Sequence, residues 1–247
     1  MIEKVKTAFE EYMKDFDKSD NNINFKYHHS YAVMDLMAEL SFRLDLSKED
    51  MELAKVIGLL HDIGRFYQLR ESKSFDDDNI DHGKAAIEYL FDKGHIRDFV
   101  EDSKYDEIIK KAIYNHNRHI IEDGLNDKEL LFTKMIRDMD KVDIFKQQAI
   151  NFELVFDSKE VTSEVLKDFS EEICLDRKKV KTRTDELLSV LSFIFDINFE
   201  ESFDILVGTD NFDLLLSVVD VKEDSEKLWN KVREICFDKI NRGIGDK

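Results

Sequence analysis

Residues 54–66 read AKVIGLLHDIGRF. Ala54, Val56, Ile57, Leu59 and Leu60 have the apolar spacing of a buried helix. Ser47-Lys48-Glu49-Asp50 has the form of a capping box that opens this helix, and Gly64 stands just past its His-Asp end as a stop. Toward the N-terminus, Val33, Leu36, Met37 and Leu40 line one face of an earlier helix that starts near His28–Ser30. A first helix covers roughly Ile2 to Phe16, and the polar linker KSDNNINFK joins the two. Downstream, Gln68 to Asp81 (QLRESKSFDDDNID) reads as a polar, acidic surface loop. Asp81 caps a helix that runs from His82 to near Gly94. Further helices are expected from about Tyr105 to Ile121 and from about Asp127 to Ile150, and then in DELLSVLSFIF and SEKLWNKVREICFDKI.

The sequence has no proline and only eight glycines, so little in it breaks a helix. The fold class is therefore all-α. A chain of 247 residues suits one core domain with an appendage. We place the core at residues 1–150 and a helical extension packed on it at 151–247.

Lys and Arg total 37 against 55 Asp and Glu, a formal charge of −18. Such a surface repels phosphate backbones and anionic membranes, so neither nucleic acid nor membrane is expected as a partner. A phosphorylated substrate would need a local positive charge, most simply a metal. Cys174 and Cys236 stand far apart and in no metal-ligand spacing, which excludes a disulfide scaffold or zinc ribbon. The N-terminal stretch carries acids throughout and has no long apolar core, unlike a secretory leader. No apolar run is long enough to span a bilayer. A cytoplasmic location is the expectation.

All seven histidines lie between positions 28 and 119. Four of them, His29, His61, His82 and His116, join Asp62 and Asp140 as candidate metal ligands. Imidazole nitrogens with carboxylate oxygens suit a first-row transition metal. Taken singly, each has a plainer account, because a buried, hydrogen-bonded core histidine is commoner than a ligand.

Their order along the chain resembles the HD-domain metal-dependent phosphohydrolases, an all-helical family in which a His, then a His-Asp pair, then a distant Asp supply ligands. His29 in HHSYAV matches the first element, His61-Asp62 in AKVIGLLHDIGRF the second, and Asp140 in MIRDMDKVDIF the third. Asp81-His82-Gly83 and His116 in KKAIYNHNRHI match additional histidines of branches that hold two metals, such as the HD-GYP cyclic-di-GMP phosphodiesterases and the symmetrical bis(5′-nucleosyl)-tetraphosphatases. The resemblance covers about residues 25–150. It implies an HD-domain helical bundle with additional C-terminal helices. One ion would then take His29, His61, Asp62 and Asp140, and a second would take Asp62, His82 and His116, with Asp62 as the bridge.

Departures from these relatives narrow the branch. There is no Gly-Tyr-Pro element, and His116 is followed by Asn117 where HD-GYP sites tend to pair histidines. Arg65 stands three residues after Asp62, where the nucleotidase and alarmone-hydrolase branches tend to place an acid. The implied activity is hydrolysis of a small phosphorylated or nucleotide-like substrate, monoester or diester, by metal-activated water. The cofactor is a divalent metal, two ions of Fe or Mn, with Zn, Ni or Mg as alternatives. Asp62 and Arg65 are the candidate catalytic residues. Arg65 is placed to meet a phosphate oxygen, or else is a surface arginine near a helix C-terminus. The alternative from another class is a non-catalytic metal- or nucleotide-binding regulatory module, and the plainest is a helical interaction protein. Residues 151–247 could shape the pocket or form a homodimer surface.

The remaining residues receive plainer readings. His28 is a register alternative to His29, His95 is solvent-exposed, and His119 shares the helix face of His116. Asp138 points away from Asp140 and reads as surface charge. Lys141 and Asp143 fix local structure or line the substrate mouth. The run DDDNID is a solvated loop rather than a calcium site, because it lacks the glycine and terminal glutamate of an EF-hand. Phe66 and Tyr67 read as core, with base-stacking as the alternative.

Overall fold

The computed structural model describes residues 1–75, 77 and 79–245, and is helical almost throughout. The chain divides into two compact units, Met1–Asp140 and Lys141–Lys247.

In the first unit, α1 (Ile2–Tyr12) ends in a tight turn at Met13–Asp15. Next comes α2 (Asn21–Arg43). It begins seven residues before the expected start, because the Asp20 carboxylate accepts from Asn22 N and Ile23 N and caps the supposed linker into a helix. Then follow α3 (Lys48–Leu60), capped by Ser47 as expected, and α4 (Ile63–Ser72). Asp81 caps α5 (His82–Ile87), which runs into a wide π turn at Glu88–Asp92. Finally come the single turn α6 (Ile96–Phe99), α7 (Asp106–Asn115) and the long α8 (Asp127–Asn151), within which the division between units falls.

The core of this unit joins α2 to α3. Val33, Met37 and Leu40 meet the face of Leu53, Ile57 and Leu60, all fully buried; such side chains contribute about 1.5–3 kcal/mol each on burial. Two glycines set how closely neighbouring helices approach, Gly58 for α3 on α2 and Gly64 for α4 on α5. A Cβ at Gly58 would lie 2.8 Å from Met34 Cα, and one at Gly64 would lie 2.2 Å from the His82 carbonyl oxygen. Gly64 therefore does not stop a helix: it lies inside α4 and lets α5 pack against it. Tyr12 donates to the Ile63 carbonyl at 2.8 Å, and the Phe9 and Phe16 rings sit 5.9 and 5.7 Å from Phe66. These contacts tie α1 to the start of α4. Phe66 is core, as expected, whereas Tyr67 is half exposed.

The second unit contains α9 (Ser163–Ser170), α10 (Arg183–Leu191), α11 (Glu200–Gly208), α12 (Asn211–Ser217) and α13 (Glu226–Ile244). Two-residue strands β1 (Val155–Phe156) and β2 (Asp220–Val221) pair in parallel. Buried Asp185 accepts from Thr162 N and Lys181 N, and buried Lys141 pairs with Asp196 at 2.8 Å. No helix among the described residues is long and apolar enough to cross a membrane.

Candidate metal centre

Four helix ends and two helix interiors bring the six candidate ligands together. His29 projects from α2 and Asp140 from α8. His61 and Asp62 occupy the turn between α3 and α4, His82 opens α5, and His116 follows the last residue of α7.

Asp62 is the first residue before α4, a position where aspartate ordinarily caps with its side chain. Here it makes no side-chain cap, and the carboxylate is turned toward the histidines instead. Its two oxygens face different groups. Oδ2 lies 3.7 Å from His29 Nε2 and 3.6 Å from His61 Nε2. Oδ1 lies 3.4 Å from His82 Nε2 and 3.6 Å from His116 Nε2. Within each trio the donor atoms lie within 4.8 Å of one another. Asp140 Oδ1 completes the first group, 3.0 Å from His29 Nε2 and 3.7 Å from His61 Nε2. It keeps 15% side-chain exposure, against 0–2% for the other five, so the cluster meets solvent on the Asp140 side.

Hydrogen bonds set the ring tautomers. His61 Nδ1 and His116 Nδ1 donate to the carbonyls of Gly58 and Ile113, at 2.7 and 2.6 Å. His82 Nδ1 donates to Asp77 Oδ1 at 2.6 Å. With Nδ1 protonated, each neutral ring turns a bare Nε2 lone pair inward. His61 Nε2 is buried with no hydrogen-bond partner among the described residues. His82 Nε2 and His116 Nε2 face each other at 3.0 Å; two lone pairs at that distance call for a proton or a cation. Arg65 Nη2, 3.1 Å from His82 Nε2, can satisfy only one of them. The donor set therefore fits a divalent metal. His29, His61, Asp62 and Asp140 would hold one ion, and a second would take Asp62, His82 and His116.

Electrostatics favour the ligating forms. Burial pulls the His61 and His82 pKa values down, His82 to about 3 with the neighbouring Arg65 adding to the effect, so both rings are neutral. Burial alone would raise Asp62 and Asp140. For Asp62 the Lys26 ammonium outweighs it, and for Asp140 the hydrogen bond with His29 does, so both stay well below the usual carboxylate range.

Several residues around the cluster carried no assignment in the sequence. Lys26 Nζ bonds Asp62 Oδ2 at 2.6 Å from one turn before His29. Its position three residues before His29 on one helix is a signal that the misplaced helix start hid. Arg137 Nη1 donates to the carbonyls of Asn115 and Arg118 and so braces the turn that carries His116. Phe25 stacks beside His29, with ring centroids 6.1 Å apart.

Other expectations are corrected. Arg65 is neither on the surface nor near a helix C-terminus: it is buried in the first turn of α4, with Nη1 bonded to Gln68, the Phe75 carbonyl and Asp77. The supposed loop from Gln68 begins inside α4, and Asp77, whose side chain is 31% exposed, turns Oδ1 to His82 instead of leaving it wholly in solvent. Asp76 and Asp78 of the same run lie outside the described residues. His119 is exposed beyond the end of α7, so it shares no helix face with His116. Asp138 is fully buried, not a surface charge. His95 is about half exposed, bonded to Asp98 and stacked on Tyr89. His28 points to solvent.

No curated protein and no solved structure matches the chain significantly. Among known families, the HD domain matches residues 27–145, a span that includes His29, His61-Asp62, His82, His116 and Asp140. With the order of these residues and their convergence in space, residues 27–145 of this chain belong to the HD domain family.

Proposed function

We propose that this protein is a metal-dependent phosphohydrolase that uses water to cleave a small phosphorylated or nucleotide-like substrate, monoester or diester. The observation that carries this reading is Asp62, whose two carboxylate oxygens each face a separate imidazole group. That arrangement is suited to two divalent ions, Fe or Mn before Zn, Ni or Mg. When bound, such ions lower the pKa of water toward about 7 and hold phosphoryl oxygens for in-line displacement.

The chain's own residues supply the rest. His61, His82 and His116 turn deprotonated Nε2 atoms inward without ring flips, because their Nδ1 protons are already committed, although Arg65 Nη2 would have to yield His82 Nε2 to an ion. Lys26 keeps Asp62 ionised and brings a positive charge to an otherwise acidic molecule. Arg65 is buried against the cluster, and its Nε lies 3.9 Å from Asp62 Oδ1 with no hydrogen-bond partner among the described residues, so it can donate to a phosphate oxygen that reaches the second group.

One observation favours the alternative of a regulatory module without turnover. The Lys26 ammonium already neutralises Asp62 at 2.6 Å, where a catalytic ion would compete with it.

The test is elemental analysis of anaerobically purified protein, followed by a phosphatase and phosphodiesterase screen with added Mn²⁺. About two equivalents of metal, with a metal-stimulated rate that Asp62→Ala abolishes, would support the hydrolase. An unchanged rate in that variant would overturn it. Bound metal without turnover on any substrate would favour the regulatory module.

A further inference from the structure

The three pinned histidines are not pinned alike. His61 and His116 each donate Nδ1–H to the carbonyl three residues earlier, Gly58 and Ile113, so the backbone of their own helix orients them. His82 has no such option. It is the first residue of α5, and the residue three before it, Asn79, belongs to the connection from α4. A histidine at a helix start must find its acceptor elsewhere.

It finds Asp77. One oxygen of that carboxylate, Oδ1, receives His82 Nδ1–H at 2.6 Å, Gln68 Nε2–H at 2.9 Å, Arg65 Nη1–H at 3.1 Å and the His82 backbone N–H at 3.4 Å. Fully buried Gln68 also donates to the Ile80 carbonyl at 2.6 Å, which fastens the connection just before α5. A carboxylate is a stronger acceptor than a peptide carbonyl and raises the basicity of the imidazole it binds.

We infer that Asp77 is a positioning residue that sets the tautomer and direction of the His82 ring, and through it the affinity of the second ion site formed by Asp62, His82 and His116. The inference rests on the metal-site reading above. Its reach is selective: the first group has no bond to Asp77, whereas the second depends on it through His82. Arg65 shares the same anchor, so Asp77 also holds the guanidinium against the cluster.

The experiment compares full-length wild type with Asp77→Asn, which keeps the shape and removes the charge, and with Asp77→Glu, which restores it. Mn²⁺ binding is followed by titration, thermal unfolding is measured on the same samples, and the His82 tautomer is read from long-range ¹H–¹⁵N NMR on the metal-free proteins. The expected result is a second Mn²⁺ weakened about 10–100-fold in Asp77→Asn, with the first unchanged, the unfolding temperature nearly retained, and part of the loss recovered in Asp77→Glu. Equal affinities for both ions in wild type and Asp77→Asn would overturn the inference, as would parallel loss of both ions with a large fall in unfolding temperature. If wild type takes up no Mn²⁺, the metal-site reading fails and NMR decides the positioning role. A His82 ring held as the Nδ1–H form in wild type and mixed in Asp77→Asn would uphold that role. Identical spectra would overturn it.

Discussion

Lys26 Nζ lies 2.6 Å from Asp62 Oδ2, and both side chains are less than a tenth exposed. The ammonium meets the same oxygen that His29 and His61 face. In the metal-free protein this pair carries much of the charge balance of the cluster. Removing one member of a buried pair leaves the other uncompensated, at a cost of about 3–5 kcal/mol. Lys26→Met should therefore unfold markedly earlier than wild type in chelator, and Mn²⁺ should recover most of the difference by replacing the lost charge. Equal destabilisation with and without Mn²⁺ would mean that Lys26 acts through packing alone.

Gly64 gives a steric prediction. A Cβ there would lie 2.2 Å from the His82 carbonyl oxygen and 2.4 Å from Ala86 N, both backbone atoms with little room to move. Gly64→Ala should cost about 1–3 kcal/mol of stability. Because the clash falls on His82, it should weaken the second ion more than the first. Urea unfolding and Mn²⁺ titration on the same variant check both parts.

Glu52 supplies a pH dependence remote from the cluster. It accepts from Ile2 N and Lys55 Nζ, each at 3.0 Å, and so fastens the start of α1 to α3. Burial raises its pKa, but these bonds outweigh that and hold it at about 2 instead of 4.5. A carboxylate lowered in the folded state stabilises above its unfolded value, and the increment is lost as pH falls through the folded one. Glu52→Gln should therefore be weaker than wild type by about 1 kcal/mol at neutral pH. The gap should close between pH 4.5 and pH 2. A gap that stays constant on acidification would exclude charge as its source.

Metal binding should couple to stability, since ligands brought together from α2, α5, α7, α8 and the α3–α4 turn are apart in the unfolded chain. Free Mn²⁺ at a hundred times its dissociation constant should stabilise wild type by about 2.7 kcal/mol. Asp62→Ala, which removes the shared carboxylate, should show almost none of this. Differential scanning fluorimetry with and without chelator measures it directly.

The all-α class was legible in the sequence because it rests on local signals, and the converging residues were legible through their order along the chain, which resembles that of a known family. The absence of proline, the Ser47 and Asp81 caps and the His61-Asp62 pair after an apolar helix are such local signals. What escaped depends on tertiary context. The α2 start hung on a single Asp20 cap inside a polar run, and with it went the placement of Lys26 beside His29. Gly64 reads in one dimension like a helix stop, and only the proximity of α5 shows it to be a packing glycine. Asp77 had no periodic pattern to mark it, since a connection residue acquires its role from whatever its neighbours bring to it.

The Nδ1 bonds of His61, His82 and His116 have a kinetic consequence. The donors point inward in the folded chain before any ion arrives, so loading requires neither refolding nor ring flips. An entering ion would still have to displace Lys26 from Asp62 Oδ2 and Arg65 Nη2 from His82 Nε2. Uptake would then be set by how readily these two cations give way, and Lys26→Met should load Mn²⁺ faster than wild type.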